Sequence, residues 1–181
     1  DIIISLPCIH IYHSDCIKKW LLNNNFCPIC KYELNEKTGR IHLDRVLYSA
    51  MIYPTEYGII ENTLAPDGDP LDILVVTKDP TFPGCLVPAR VLGYLKMIDG
   101  GKEDYKLISV VDCDPRYDNV HALHDLPDFH LKEIQNFFAN YKVLQNVDVE
   151  VGEYYGKEEA LRVIEECRQR FMEEERDGQT D

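Results

Sequence analysis

Asp67-Gly68-Asp69-Pro70-Leu71-Asp72 places three carboxylates within six residues, and the apolar Ile73, Leu74 and Val75 follow at once. Like charges at this density repel one another unless something positive lies between them, and hard carboxylate oxygens are the ligands that suit Mg²⁺ or Mn²⁺. The strand-like residues set the carboxylates at the edge of a core rather than on a solvated turn. A calcium EF-hand loop is excluded, because Asp72 and Lys78 stand where it needs Gly and Glu. A second acidic pair, Asp99 and Asp104, flanks a turn after the apolar stretch 91–97. Lys31, Arg45, Tyr53, Tyr57, Lys106, Tyr141 and Lys142 supply cations and phenols. Carboxylates for metals, with Lys, Arg and Tyr for anionic oxygens, make up the equipment of metal-assisted phosphoryl transfer.

Outward from the acidic stretch, residues 40–43, 57–62, 71–77, 87–97 and 106–111 read as strands, punctuated by Pro and Gly at 80–84. Two helices follow. Residues 129–141 carry Leu131, Ile134, Phe138 and Tyr141 at helical spacing, and residues 157–174 carry Leu161, Ile164, Cys167 and Phe171. Short strands followed by helices predict an α+β fold, a small closed β-barrel with helices packed outside.

The chain has 181 residues and a formal net charge of −13, which disfavours nucleic-acid binding. No apolar run reaches the ~20 residues that span a bilayer. The opening segment lacks a basic n-region and a small-residue cleavage site. Four of the seven cysteines lie between Cys8 and Cys30, interleaved with two histidines, which reads as metal binding in a reducing compartment and a cytoplasmic chain.

Those ligands run Cys8-x-His10-x₂-His13-x₂-Cys16, then ten residues, then Cys27-Pro28-Ile29-Cys30. Soft and borderline donors at this spacing suit tetrahedral zinc. Ser14 and Asp15 can cap a short helix through Trp20 and Leu22. The stretch resembles the second half of a RING-H2 finger, with Trp20 and Pro28 where that family meets a ubiquitin-conjugating enzyme. The resemblance implies that Cys8, His10, Cys27 and Cys30 complete one zinc site. It implies that His13 and Cys16 belong to a second, incomplete one, whose first CxxC is absent. A zinc-holding segment follows more readily than a working ubiquitin ligase or adaptor, which is the alternative function.

From Lys31 onward the chain resembles the soluble, Mg²⁺-dependent inorganic pyrophosphatases, closest to their short bacterial form. The resemblance rests on Lys31-Tyr32-Glu33-Leu34, Asp44-Arg45, Tyr53-Pro54-x-x-Tyr57-Gly58, the acidic signature at 67–72, Lys96-Met97-x-Asp99, Asp104-x-Lys106 and Phe137-Phe138-x-x-Tyr141-Lys142. It implies hydrolysis of diphosphate to two phosphates by a metal-bound hydroxide. Asp67, Asp72, Asp99 and Asp104 would ligate Mg²⁺, Glu33 would reach a substrate-borne metal, and Asp69 would act as general base. Lys31, Arg45, Tyr57, Lys106, Tyr141 and Lys142 would bind the phosphates. It also implies a homo-oligomer. Residues 1–30 are read as the zinc segment, 31–175 as the pyrophosphatase domain and 176–181 as an acidic tail. The RING-like segment stands where the family has an N-terminal strand and an acidic residue.

Overall fold

The structure, a computed structural model, describes residues 47–81 and 85–176 with their side chains, and the backbone alone of residues 3–5, 11–13, 34–35, 40–41 and 177. By internal contacts the chain forms two units, residues 1–46 with 79–87, and residues 47–78 with 88–181.

In the first unit, β1 (Ile3–Ser5) pairs antiparallel with β2 (Ile11–His13), and β3 (Leu34–Asn35) pairs antiparallel with β4 (Arg40–Ile41). The expected strand at 40–43 is described only over Arg40–Ile41. The short helix expected after Ser14 lies outside the described residues.

The second unit is built on five strands: β5 (Glu56–Ile59), β6 (Asp72–Val76), β7 (Ala89–Asp99), β8 (Lys102–Val111) and β9 (Val149–Gly156). Their order is β5-β6-β8-β7-β9, antiparallel throughout except for the parallel pair β6–β8. The α+β class holds. The expected closure does not: among the described residues the sheet is open, with β5 and β9 as its edges, and β3 and β4 pair with each other as a separate sheet. β9 was not foreseen. Its signal was the alternation of Val147, Val149 and Val151 with Asp148 and Glu150.

Hairpin β7–β8 turns on Gly100 and Gly101, whose φ values of +58° and +83° fit a two-residue turn that favours glycine at both positions. Gly93 is required for a different reason. A Cβ there would meet the Tyr155 carbonyl oxygen at 2.3 Å and the Leu123 side chain at 2.5 Å.

α1 (Asp128–Asn140) buries Ile134, Phe137 and Phe138, and Tyr141 continues the stripe at its C-cap. This i, i+3, i+4, i+7 face closes the core against Leu74, Val76, Leu92, Leu95, Met97, Ile108 and Val110 from β6, β7 and β8. α2 (Lys157–Asp177) packs on β7 and β9 through Ala160, Val163, Ile164 and Cys167. The stripe expected on this helix is corrected by one position, since Leu161 is 49% exposed and Ala160 with Val163 takes its place. The spacing alone fits either stripe. Ala160, four residues after the strand ends, is fully buried.

Candidate active site

The strand registers gather the acidic residues that lie far apart in sequence. Parallel pairing sets Asp72, the first residue of β6, opposite Lys106 of β8. Asp104 and Lys106 are two apart on β8, so both side chains leave the same face. Across the hairpin, Asp99 closes the turn opposite Lys102.

Lys106 is only 4% exposed. Its Nζ pairs with Asp72 Oδ2, lies 2.7 Å from Asp104 Oδ2, and donates to Tyr57 Oη at 3.3 Å. The ammonium also lies 5.6 Å from the ring centroids of Tyr57 and Phe138. Burial opposes its charge, but Asp72 and Asp104 together hold its pKa well above the ordinary value. Burial raises the Asp104 carboxyl; Lys106 pulls the other way, and the nearby charges of Asp72 and Asp67 add to the rise. Burial, then Asp72, raises the Tyr57 phenol and keeps it protonated. Tyr53 packs against both Tyr57 and Phe137, with ring centroids 4.8 and 4.5 Å away.

A second acid–base group adjoins the first. Asp99 Oδ2 accepts from Tyr141 Oη at 2.6 Å and pairs with Lys142 Nζ. Burial opposes ionisation of Asp99, but the bonds from Lys142 and Tyr141 prevail and lower its pKa, with Lys106 contributing through space. Burial and the same carboxylate raise the Tyr141 phenol.

The loop carrying Asp67 and Asp69 is a folded turn. Ala65 N donates to Asp69 O at 2.8 Å, Gly68 N to Ala65 O at 3.1 Å, and Asp69 N to Asp67 Oδ1 at 3.1 Å. Gly68 takes φ +97°, open to glycine. Buried Thr63 accepts from Leu71 N at 3.0 Å. Asp69 itself is exposed, and its carboxylate makes no hydrogen bond or ion pair among the described residues.

The structure therefore brings together Asp67, Asp72, Asp104, Lys106 and Tyr57, and beside them Asp99, Tyr141 and Lys142, with Asp69 on the neighbouring turn. Lys31, Glu33 and Arg45 lie outside the described residues, as do the side chains of Cys8, His10, His13, Cys16, Cys27 and Cys30. Thr63, Lys102 and Arg170, which hold the acidic loop, were not foreseen; their partners are fixed by tertiary packing, and no local motif marks them.

Among the described residues, no group of three His, Cys, Asp or Glu side chains is arranged to hold a metal ion as it stands. The lysine ammonium groups occupy the cation's role, one between Asp72 and Asp104 and one on Asp99. The donor set is nonetheless hard, anionic and partly buried, which fits Mg²⁺.

The family model of inorganic pyrophosphatase matches residues 28–172. A ring finger domain model matches residues 1–31. The inorganic pyrophosphatase of Geobacillus stearothermophilus is 55% identical over 144 residues, which cover 80% of this chain and 87% of that protein. That of Halalkalibacterium halodurans is 55% identical over 141 residues, 78% of this chain and 86% of its own length. The crystal structure of inorganic pyrophosphatase from Thermus thermophilus superposes with a TM-score of 0.72 at 40% identity, covering 83% of this chain and 86% of that one. The chain belongs to the inorganic pyrophosphatase family, preceded by a RING-type match. These likenesses favour the hydrolase over the ligase or adaptor alternative. Among the described residues no helix is long and apolar enough to cross a membrane.

Proposed function

We propose that this protein hydrolyses diphosphate to two phosphates with Mg²⁺, and that the cluster of Asp72, Asp104 and Lys106 is the centre of its site. The observation that carries this reading is a buried ammonium shared by two carboxylates, on a chain 55% identical to an inorganic pyrophosphatase. Asp67, Asp72, Asp99 and Asp104 are the residues that would hold the metal, with Glu33 as a further ligand. When bound, magnesium offsets the charge of the diphosphate and acidifies water.

The chain's own residues do the rest. Asp69, exposed and unpaired among the described residues, takes the proton of the attacking water. The water oxygen bonds to one phosphorus, the bridging P–O bond breaks, and its electron pair leaves on the second phosphate. Lys106 and Lys142 neutralise the departing charge, and the protonated Tyr57 and Tyr141 donate their O–H groups to phosphate oxygens. Lys31 and Arg45 complete the phosphate contacts. The same reading assigns residues 31–175 to the catalytic domain, residues 1–30 to a segment holding one Zn²⁺ on Cys8, His10, Cys27 and Cys30, and residues 176–181 to a tail. It takes the protein to be a cytoplasmic homo-oligomer.

The test is phosphate release from Mg²⁺-diphosphate by the purified full chain. Turnover that stops on adding EDTA and returns with Mg²⁺ is expected. No turnover of diphosphate at saturating Mg²⁺ would overturn the proposal.

A further inference from the structure

The carboxylates of the site sit on two separate segments. Asp67 and Asp72 belong to the loop that enters β6, and Asp99 and Asp104 belong to the β7–β8 hairpin. The gap between the segments decides whether a small cation can be gripped by both. Magnesium demands near-ideal octahedral geometry at about 2.0–2.1 Å, so small errors in that gap weaken binding.

Strand pairing of β6 with β8 already sets Asp72 against the hairpin, but the outer part of the loop, which carries Asp67, lies beyond that pairing. The flanks of the loop are held elsewhere. Leu64 N donates to Cys167 O at 2.9 Å, Arg170 Nη1 donates to Leu64 O at 3.0 Å, and Leu71 N donates to Thr63 at 3.0 Å. Between these anchors, residues 65–70 bond among themselves with one exception among the described residues: Lys102 Nζ donates to the Asp67 carbonyl oxygen at 3.0 Å. Lys102 opens β8 directly after Gly100 and Gly101 and pairs with Asp99. It thus ties the tip of one carboxylate-bearing segment to the main chain at the acid of the other.

We propose that Lys102 is a positioning residue that holds Asp67 against the hairpin carboxylates and thereby sets the affinity for Mg²⁺. This rests on the metal site of the proposed function. Its charge and its tether act in opposite directions, which makes the idea decidable. By Coulomb's law alone, removing a cation beside an acidic site strengthens Mg²⁺ binding. Removing the tether weakens it.

The experiment is calorimetric titration of the full chain with Mg²⁺ alone, together with the Mg²⁺ dependence of turnover. Lys102→Met is expected to weaken Mg²⁺ binding by about threefold to tenfold, the scale of one charge-assisted hydrogen bond partly screened by solvent. The Mg²⁺ concentration for half-maximal turnover should rise with the dissociation constant, whereas loss of the charge alone would lower it. Lys102→Arg keeps donor and charge and should recover most of the affinity. Lys96→Met is the charge control: the same hairpin loses a cation, but Lys96 Nζ pairs with Glu103 at 2.6 Å and not with the loop. It should leave affinity unchanged or slightly higher. If Lys102→Met binds Mg²⁺ as tightly as wild type or more tightly, Lys102 positions nothing. If the wild-type chain takes up no Mg²⁺ at all, the metal site itself fails, and this inference with it.

Discussion

Replacing Lys106 by Met removes the buried cation and leaves its two acids facing each other. Lys106 is 4% and Asp104 7% exposed, so neither charge is well solvated. Removing one partner of a buried pair costs about 3–5 kcal/mol, because the other charge is left uncompensated. The Asp72 side chain keeps 20% of its surface in water, which draws the expected loss toward the lower end. With about 3 kcal/mol lost, and about 2–4 °C per kcal/mol in a domain of this size, Tm in EDTA should fall by about 6–12 °C. Magnesium should then stabilise the variant more than the wild type. In the wild type an incoming cation has to displace the ammonium from Asp72 and Asp104, whereas in Lys106→Met those carboxylates are free. A cation at 100 times its Kd adds about 2.7 kcal/mol, enough to return most of the loss. Thermal unfolding by circular dichroism, with EDTA and with saturating Mg²⁺, reads both effects. A fall of less than about 2 °C in EDTA, against the several degrees per kcal/mol expected, would show that Lys106 does not hold the acids together. Stronger magnesium stabilisation of the wild type than of the variant would show that the acids do not receive the metal. Turnover of Lys106→Met should stay low even with Mg²⁺, since the phosphate has lost a donor.

Asp69→Asn should leave Tm unchanged, because its carboxylate holds nothing in place, yet lower turnover by about 10²–10⁴-fold; a variant keeping half the wild-type phosphate release removes Asp69 from the mechanism. Gly93→Ala should destabilise by about 1–3 kcal/mol in urea denaturation, because its Cβ falls 2.3 Å from the Tyr155 carbonyl; a loss under 0.5 kcal/mol, well below the ~1–3 expected of overpacking, would mean that β7 and β9 shift freely. Elemental analysis of the full chain purified without chelators should find one zinc, held by Cys8, His10, Cys27 and Cys30. Two zincs, or none, would refute that assignment.

What could be read from sequence followed short range. The acidic signature, the apolar run of β6, the apolar face of α1 and the turn between Asp99 and Asp104 are each local, as a helix repeats every 3.6 residues and a buried strand reads as a short apolar run. Residues Ile134, Phe138 and Tyr141 fell on the buried face for that reason. Where two stripes fitted the same spacing, as on α2, only packing against β7 and β9 decided between Ala160 and Leu161. The expected barrel failed on pairing, a tertiary property: nothing in residues 34–41 dictates that β3 and β4 pair with each other rather than extend the larger sheet.

The site divides along the same line. Its acids and lysines were legible as residue types, but which of them meet depends on register. Asp72 and Lys106 are 34 residues apart, and they face each other because β6 and β8 run parallel with Asp72 opposite Lys106. A slip of one residue would turn Lys106 to the other face of the sheet and leave Asp72 without its cation. The apolar neighbours prevent that slip. Leu74 and Val76 of β6, with Ile108 and Val110 of β8, share the face that packs on Phe137 and Phe138 of α1. Moving either strand by one residue would turn that set to the face of Ile73, Val75 and Leu107, away from Phe137 and Phe138. The hydrophobic core therefore sets the register, and the register places the charges. The chemistry of the site depends on residues such as Ile108 that never touch it.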